Sequence, residues 1–165
     1  MYQIGERVFY GMHGVCGVKA AEERVLDGKV RLFLVLEPEG QSGCRYLVPT
    51  HNAAAMAKLR PMLTVTELQQ LLSSEEVRNS TWILDENQRK LTYRTLITGG
   101  ERTELLKMIH ALYRHQAKQS EQGKKIHQCD ENFLRDAEKL MCSEISAVMD
   151  LDADAARSYL RKQLN

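Results

Sequence analysis

The sequence predicts an α+β chain: a small N-terminal β-barrel over residues 1–60, followed by an all-α helical bundle over residues 61–165. Three observations predict it. The first 50 residues read as short alternating runs broken by glycines. At Asn52 the texture changes abruptly, first to an alanine-rich stretch. From Thr64 onward, apolar residues recur at helical rather than alternating spacing.

The strands follow in order. Glu6–Tyr10 places Val8 and Tyr10 on one face and Arg7 and Phe9 on the other. Glycines at 11, 14 and 17 suit a tight bend. Lys19–Val25 continues as a second strand, and Asp27-Gly28 is a hairpin signal. Val30–Leu36 is apolar and β-branched, 37–43 is a loop, and Cys44–Val48 is a fourth strand ended by Pro49. Short strands with glycine turns in so few residues favour a curled barrel over an open sheet. A module this small is expected to dock against the rest of the chain.

The remainder reads as four or five helices. Asn52–Leu59 suits a short helical turn before Arg60-Pro61. Thr64 and Glu67 form a capping box for a helix through about Leu72. Residues 73–80 read as a linker. Glu86–Ile97 places Arg89, Tyr93 and Leu96 near one another, and Gly99-Gly100 stops it. Arg102–Gln119 is amphipathic through Leu105, Met108, Ile109, Leu112 and Tyr113, until Gly123 breaks it. Asp130 is expected to cap the next helix, and Asp152 or Asp154 the last.

Composition narrows the function classes. No stretch reaches the roughly 18 apolar residues of a membrane span, and the first residues lack a signal-peptide pattern. A cytoplasmic protein without membrane contact is expected. The four cysteines contain no C-x-x-C pair, so neither zinc nor a disulfide framework is expected. No phosphate-loop, dinucleotide, zinc-protease or nucleophile-elbow motif occurs. We therefore expect no enzyme, no cofactor and no metal. Charge is uneven: residues 86–128 carry nine Lys/Arg against four Asp/Glu, a net of +5, within a chain of net +1. Arg89, Lys90 and Arg94 are the densest basic patch, and Lys124-Lys125 forms a second at a helix end. Such a segment reads as an anion-binding surface or as a solvated face. Trp82, the only tryptophan, reads either as a core or interdomain anchor or as a wedge into DNA; anchoring is the expected role.

One stretch carries a family resemblance. Tyr2, Ile4, Gly5, Glu6, Val8, Tyr10, Gly11, His13, Gly14 and Gly17 resemble the opening of the CarD/CdnL-like transcription regulators. That module is shared with the RNA polymerase-interacting domain of transcription-repair coupling factors. Glu6 and Gly11 stand where the family usually has Asp and Pro. Residues 46–61 resemble its strand ending in Val-Pro, and residues 99–115 and 123–149 resemble its later helices, as in clostridial members. The resemblance implies a Tudor-like or SH3-like barrel that docks on the bacterial polymerase β subunit by strand pairing. Arg24, Arg45, Tyr46, Leu47, Val48 and Pro49 would be the contact residues, with Leu47 standing where relatives often carry a basic residue. It also implies weak phosphate contacts to promoter DNA from Arg89 and Lys90, with Arg94 one turn further along, at the upstream edge of the bubble, stabilising the open complex; Lys124 and Lys125 join them as candidate DNA contacts on their charge alone. The family's wedge tryptophan aligns with Asp85, three residues after Trp82. The expectation is a monomeric regulator; the alternative is a polymerase adaptor without direct DNA binding.

Overall fold

The computed structural model describes residues 1–165, which form two compact units, Met1–Met62 and Leu63–Asn165. The chain is α+β. The first unit holds β1 (Arg7–Tyr10), β2 (Val15–Leu26), β3 (Lys29–Pro38), β4 (Tyr46–Pro49), a short helix α1 (Ala53–Met56) and β5 (Leu59–Pro61). All ladders are antiparallel, in the order β4-β3-β2-β1-β5. No ladder joins β4 to β5, so the expected barrel is an open sheet with two edges. The chain crosses from one edge to the other through α1, capped by Asn52, whose Oδ1 accepts the Ala55 N–H at 3.1 Å. β5 is absent from the sequence reading, because three residues ending in proline carry no period. Proline fits there only because the strand is an edge.

Local chemistry explains the connections. Gly11–His13 form a single 3-10 turn between β1 and β2. Asp27 and Gly28 both take positive φ, 52° and 73°, the backbone that a two-residue hairpin turn of the right twist demands. One face of the sheet buries Val8, Cys16, Val18, Leu34, Leu36, Val48 and Leu59. Tyr2 closes its margin and donates from its hydroxyl to the Leu59 carbonyl at 3.1 Å.

The second unit holds α2 (Val65–Leu72), α3 (Glu75–Arg78), α4 (Glu86–Gly99), α5 (Arg102–Glu121), α6 (Gln128–Met149) and α7 (Ala153–Leu164). Both arms of the capping box form: the Glu67 N–H donates to Thr64 Oγ1 at 3.2 Å, and the Thr64 N–H to Glu67 Oε2 at 2.8 Å. α3 lies inside the expected linker; Ser74 caps it by accepting from the Val77 N–H. Asp85 caps α4 and Gly100, at φ 63°, ends it. His127, not Asp130, stands at the N-cap of α6. Leu105, Leu106, Ile109 and Leu112 of α5 pack into a core shared with Met141, Ile145 and Leu160, all fully buried.

Candidate functional site

Strand β4 is an edge, and its backbone decides what a partner could read. Val48 lies opposite Leu34 and Leu47 opposite Val35. Just beyond β4, the Thr50 N–H donates to the Leu32 carbonyl at 3.0 Å. Hydrogen bonding alternates residue by residue in an antiparallel pair. Val48 and Tyr46 therefore bond to β3, while the N–H and C=O of Leu47 point to the open edge. Pro49 adds a carbonyl there and no donor. Leu47 is thus the one β4 residue presenting both groups outward.

Side chains divide the same way. Tyr46 and Val48 turn to the core face; Val48 is fully buried and Tyr46 stacks on His13 with centroids 4.0 Å apart. Val48, expected as a contact residue, is placed inside the strand's support: its side chain is buried and its backbone faces β3. Leu47, 39% exposed, turns to the other face together with Pro49. By register that outer face also carries Arg31 and Phe33 of β3, with Arg24 and Glu22 of β2 opposite them. Arg24 Nη2 lies 3.0 Å from Glu22 Oε2. Arg45 is exposed and precedes the ladder. The structure therefore brings Arg24, Leu47 and Pro49 to one face.

The expected basic patch of the helical unit is more divided. Arg89 is only 4% exposed. Its Nε and Nη2 donate to the two carboxylate oxygens of Asp130 at 2.8 and 2.9 Å, and Nη1 donates to the Ile83 carbonyl at 3.0 Å. The Asp130 hydrogen bonds hold the Arg89 pKa above its ordinary value, against the effect of burial. Each of its three nitrogens is engaged within the unit, so the structure places Arg89, expected as a phosphate contact, in an internal ion pair instead of at the surface. Its carbon Cζ also sits 4.5 Å from the Trp82 ring centroid. Trp82 stacks on His115 of α5 at 3.8 Å and 9° between planes. These contacts lie within one unit, where Trp82 packs between Arg89 of α4 and His115 of α5.

Lys90 and Arg94 do face outward. Lys90 is half-buried, with Nζ 2.9 Å from Glu86 Oε1, and Arg94 is exposed. Lys124 and Lys125 are exposed in the link between α5 and α6. Gly123, at φ 69°, ends α5 by letting the Lys124 N–H reach the Gln119 carbonyl at 2.8 Å. The start of α6 lies beside that of α4: Cys129 Sγ is 4.0 Å from Glu86 Oε1. Lys90, one turn into α4, and Lys124-Lys125, just before α6, thus lie toward the same end of this unit, with Arg94 one turn further along α4. Sequence reasoning missed Leu84, 88% exposed beside the cap of α4, and Leu91, 67% exposed two turns on. Leucines in a helical pattern pass for core residues, and only the folded chain shows these two in water.

Comparison with known proteins agrees with this division. Residues 2–61 match the CarD-like/TRCF RID domain. No curated protein matches the chain significantly.

Proposed function

We propose, from the match of residues 2–61 to the CarD-like/TRCF RID domain, that the chain is a non-enzymatic transcription regulator that docks on RNA polymerase through β4. The carrying observation is the open edge at Leu47; Arg24 lies on the same face of the sheet, two strands away. Added-strand pairing draws affinity from main-chain groups, so the leucine at this position does not prevent docking. The partner surface in this reading is the polymerase β subunit, and the open sheet stands for the family's Tudor-like barrel.

The helical unit then contacts promoter DNA near the upstream edge of the bubble. Lys90, Arg94, Lys124 and Lys125 supply phosphate contacts, without Arg89. Leu84 supplies an exposed apolar side chain of the kind that enters an unstacked step. A regulator in the bacterial cytoplasm that stabilises the open complex fits this arrangement, and no helix is long and apolar enough to cross a membrane. The second reading, an adaptor without DNA contact, is favoured by the withdrawal of Arg89 into its ion pair. The test is capture of purified bacterial RNA polymerase on the immobilised full chain, followed by the lifetime of a polymerase–promoter complex with and without it. Absence of capture sinks the reading. Capture with an unchanged lifetime leaves the adaptor.

A further inference from the structure

Gly17 sits inside β2, in register between Arg7 of β1 and Glu37 of β3. A strand interior is a costly place for glycine, and one found there marks a bulge or the close approach of another molecule. The β2 bulge falls later, between Val18 and Ala20, and Gly17 does not take positive φ. Neither irregularity therefore requires it. A Cβ built on Gly17 would meet, beyond its chain neighbours, only the Lys19 side chain, with Cε at 3.5 Å and Nζ at 3.7 Å. The missing side chain instead opens a cavity of about 650 Å³, on the face turned away from Val8, Cys16 and Leu36. Small-molecule sites in general run from roughly 300 to 1,000 Å³.

The charged side chains that line the cavity cancel: Arg7 and Lys19 against Glu37 and Glu39. Arg7 and Glu39 satisfy each other in a two-bond fork, Nε donating to Oε1 at 2.6 Å and Nη2 to Oε2 at 3.1 Å. Lys19 and Glu37 pair neither with each other nor with any other charged group. Yet both border Gly17: the Lys19 ammonium lies over it, and Glu37 is its cross-strand neighbour. Glu37 is half-buried, and a carboxylate drawn out of water is stabilised by a cation that reaches it. Ile4, 66% exposed, adds an apolar wall.

We propose that this cavity binds a free α-amino acid with an apolar side chain: its ammonium on Glu37, its carboxylate on Lys19, its side chain along Ile4. An α-amino acid holds its two opposite charges on one carbon, so it suits a neighbouring anion and cation that do not pair with each other. A simple amine would leave Lys19 without a partner, and a simple acid would leave Glu37 without one. Phosphate fits poorly, because two carboxylates share the lining and make it neutral overall. The site is separate from the open edge at Leu47, and the inference stands independently of polymerase docking.

The test uses the full chain and L-leucine as probe, followed by titration calorimetry and amide NMR shifts. Millimolar leucine should shift the amides of Gly17 and Lys19. Two analogues separate a free amino acid from the end of a peptide. Leucinamide lacks the carboxylate, as a peptide's first residue does, and N-acetyl-leucine lacks the ammonium, as its last residue does. Each should bind at least about tenfold more weakly than leucine, the scale of one lost hydrogen bond to a charged group. Glu37→Gln and Lys19→Met should weaken leucine binding by a similar factor and leave the melting midpoint in place. Gly17→Val fills the cavity and should abolish binding, while melting no lower than wild type, because valine suits a strand better than glycine does. Absence of any leucine-induced shift at Gly17 and Lys19 overturns the proposal. Either analogue binding as tightly as leucine makes a peptide end the ligand and overturns it too, as does wild-type affinity in a folded Gly17→Val. Should Gly17→Val not fold, Glu37→Gln decides: unchanged affinity there sinks the site.

Discussion

Asp130 has no contact with water, and its salt-bridge partner is Arg89, itself almost as buried. Removing one member of such a pair strands a charge at a cost of about 3–5 kcal/mol, whereas replacing both by apolar groups is often neutral. We therefore expect Arg89→Met to destabilise the helical unit by that amount and Arg89→Met/Asp130→Leu to recover most of it. Urea unfolding followed by Trp82 fluorescence reads this unit alone. Additive losses would show that the two side chains are not coupled. The histidines beside this network set a pH dependence. Burial pushes His115 below its ordinary 6.5, with Asp130 opposing and Arg89, His127 and Lys118 reinforcing. Burial, Arg114 and Arg78 push His110 down as well. Between the folded and unfolded pKa values the unfolded chain binds more protons, so stability falls as pH drops below about 6.5 and levels off below the folded values. His115→Phe with His110→Asn should flatten the urea midpoint between pH 7.5 and 5; an unchanged slope would place the titrating group elsewhere. The sequence did hold a sign of this network, since Arg89 falls on the stripe of Tyr93 and Leu96. An arginine on an apolar stripe signals a buried partner, but Asp130 lies 41 residues away and has no local signature.

Strand β4 shows what an element can and cannot declare in advance. Its place was legible from Val-Pro and the alternating run before it. Its hydrogen-bonding phase was not, because the phase depends on which β3 residue it meets. That phase reverses the roles of two neighbours: the Val48 N–H serves the fold and the Leu47 N–H serves the open edge. Leu47→Pro should leave the thermal midpoint within a few degrees of wild type and abolish polymerase capture, by removing the one outward donor of β4. Val48→Pro should instead unfold the first unit, since a ladder bond and a buried side chain go together. Circular dichroism melts beside the capture assay separate the two. Leu47→Pro that is folded and still captures polymerase would exclude strand addition at this edge. Short elements escaped the sequence for a related reason: α3 has four residues and β5 three, too few for any period to emerge. Helices whose caps and apolar stripes agree were legible, as at Thr64 and Asp152.

On the function proposed above, two weak surfaces on one chain would act through effective concentration. Docking by the first unit would hold the second near promoter DNA, so that a few phosphate contacts suffice where none would hold alone. Lys90 must leave Glu86 to make such a contact, but an exposed pair of this kind is worth only about 0–1 kcal/mol and exchanges readily. Each phosphate contact releases counterions and adds about 0.9 to the log–log salt slope on duplex DNA. Replacing Lys90, Arg94, Lys124 and Lys125 by Ala should therefore flatten the salt dependence of polymerase–promoter lifetime, by up to that amount for each cation removed from a phosphate. The effect should be alike on different promoters, because phosphate contacts position a protein without reading bases. Polymerase capture should be unchanged, since all four residues lie outside residues 2–61. Arg89 is left out of the variant because its loss would act through the fold. Adding Leu47→Pro to the quadruple variant should cost no further lifetime beyond that of Leu47→Pro alone, since without docking the helical contacts have nothing to amplify them. If the quadruple variant keeps both the wild-type slope and the wild-type lifetime, the basic end is a solvated face and the chain is an adaptor on polymerase.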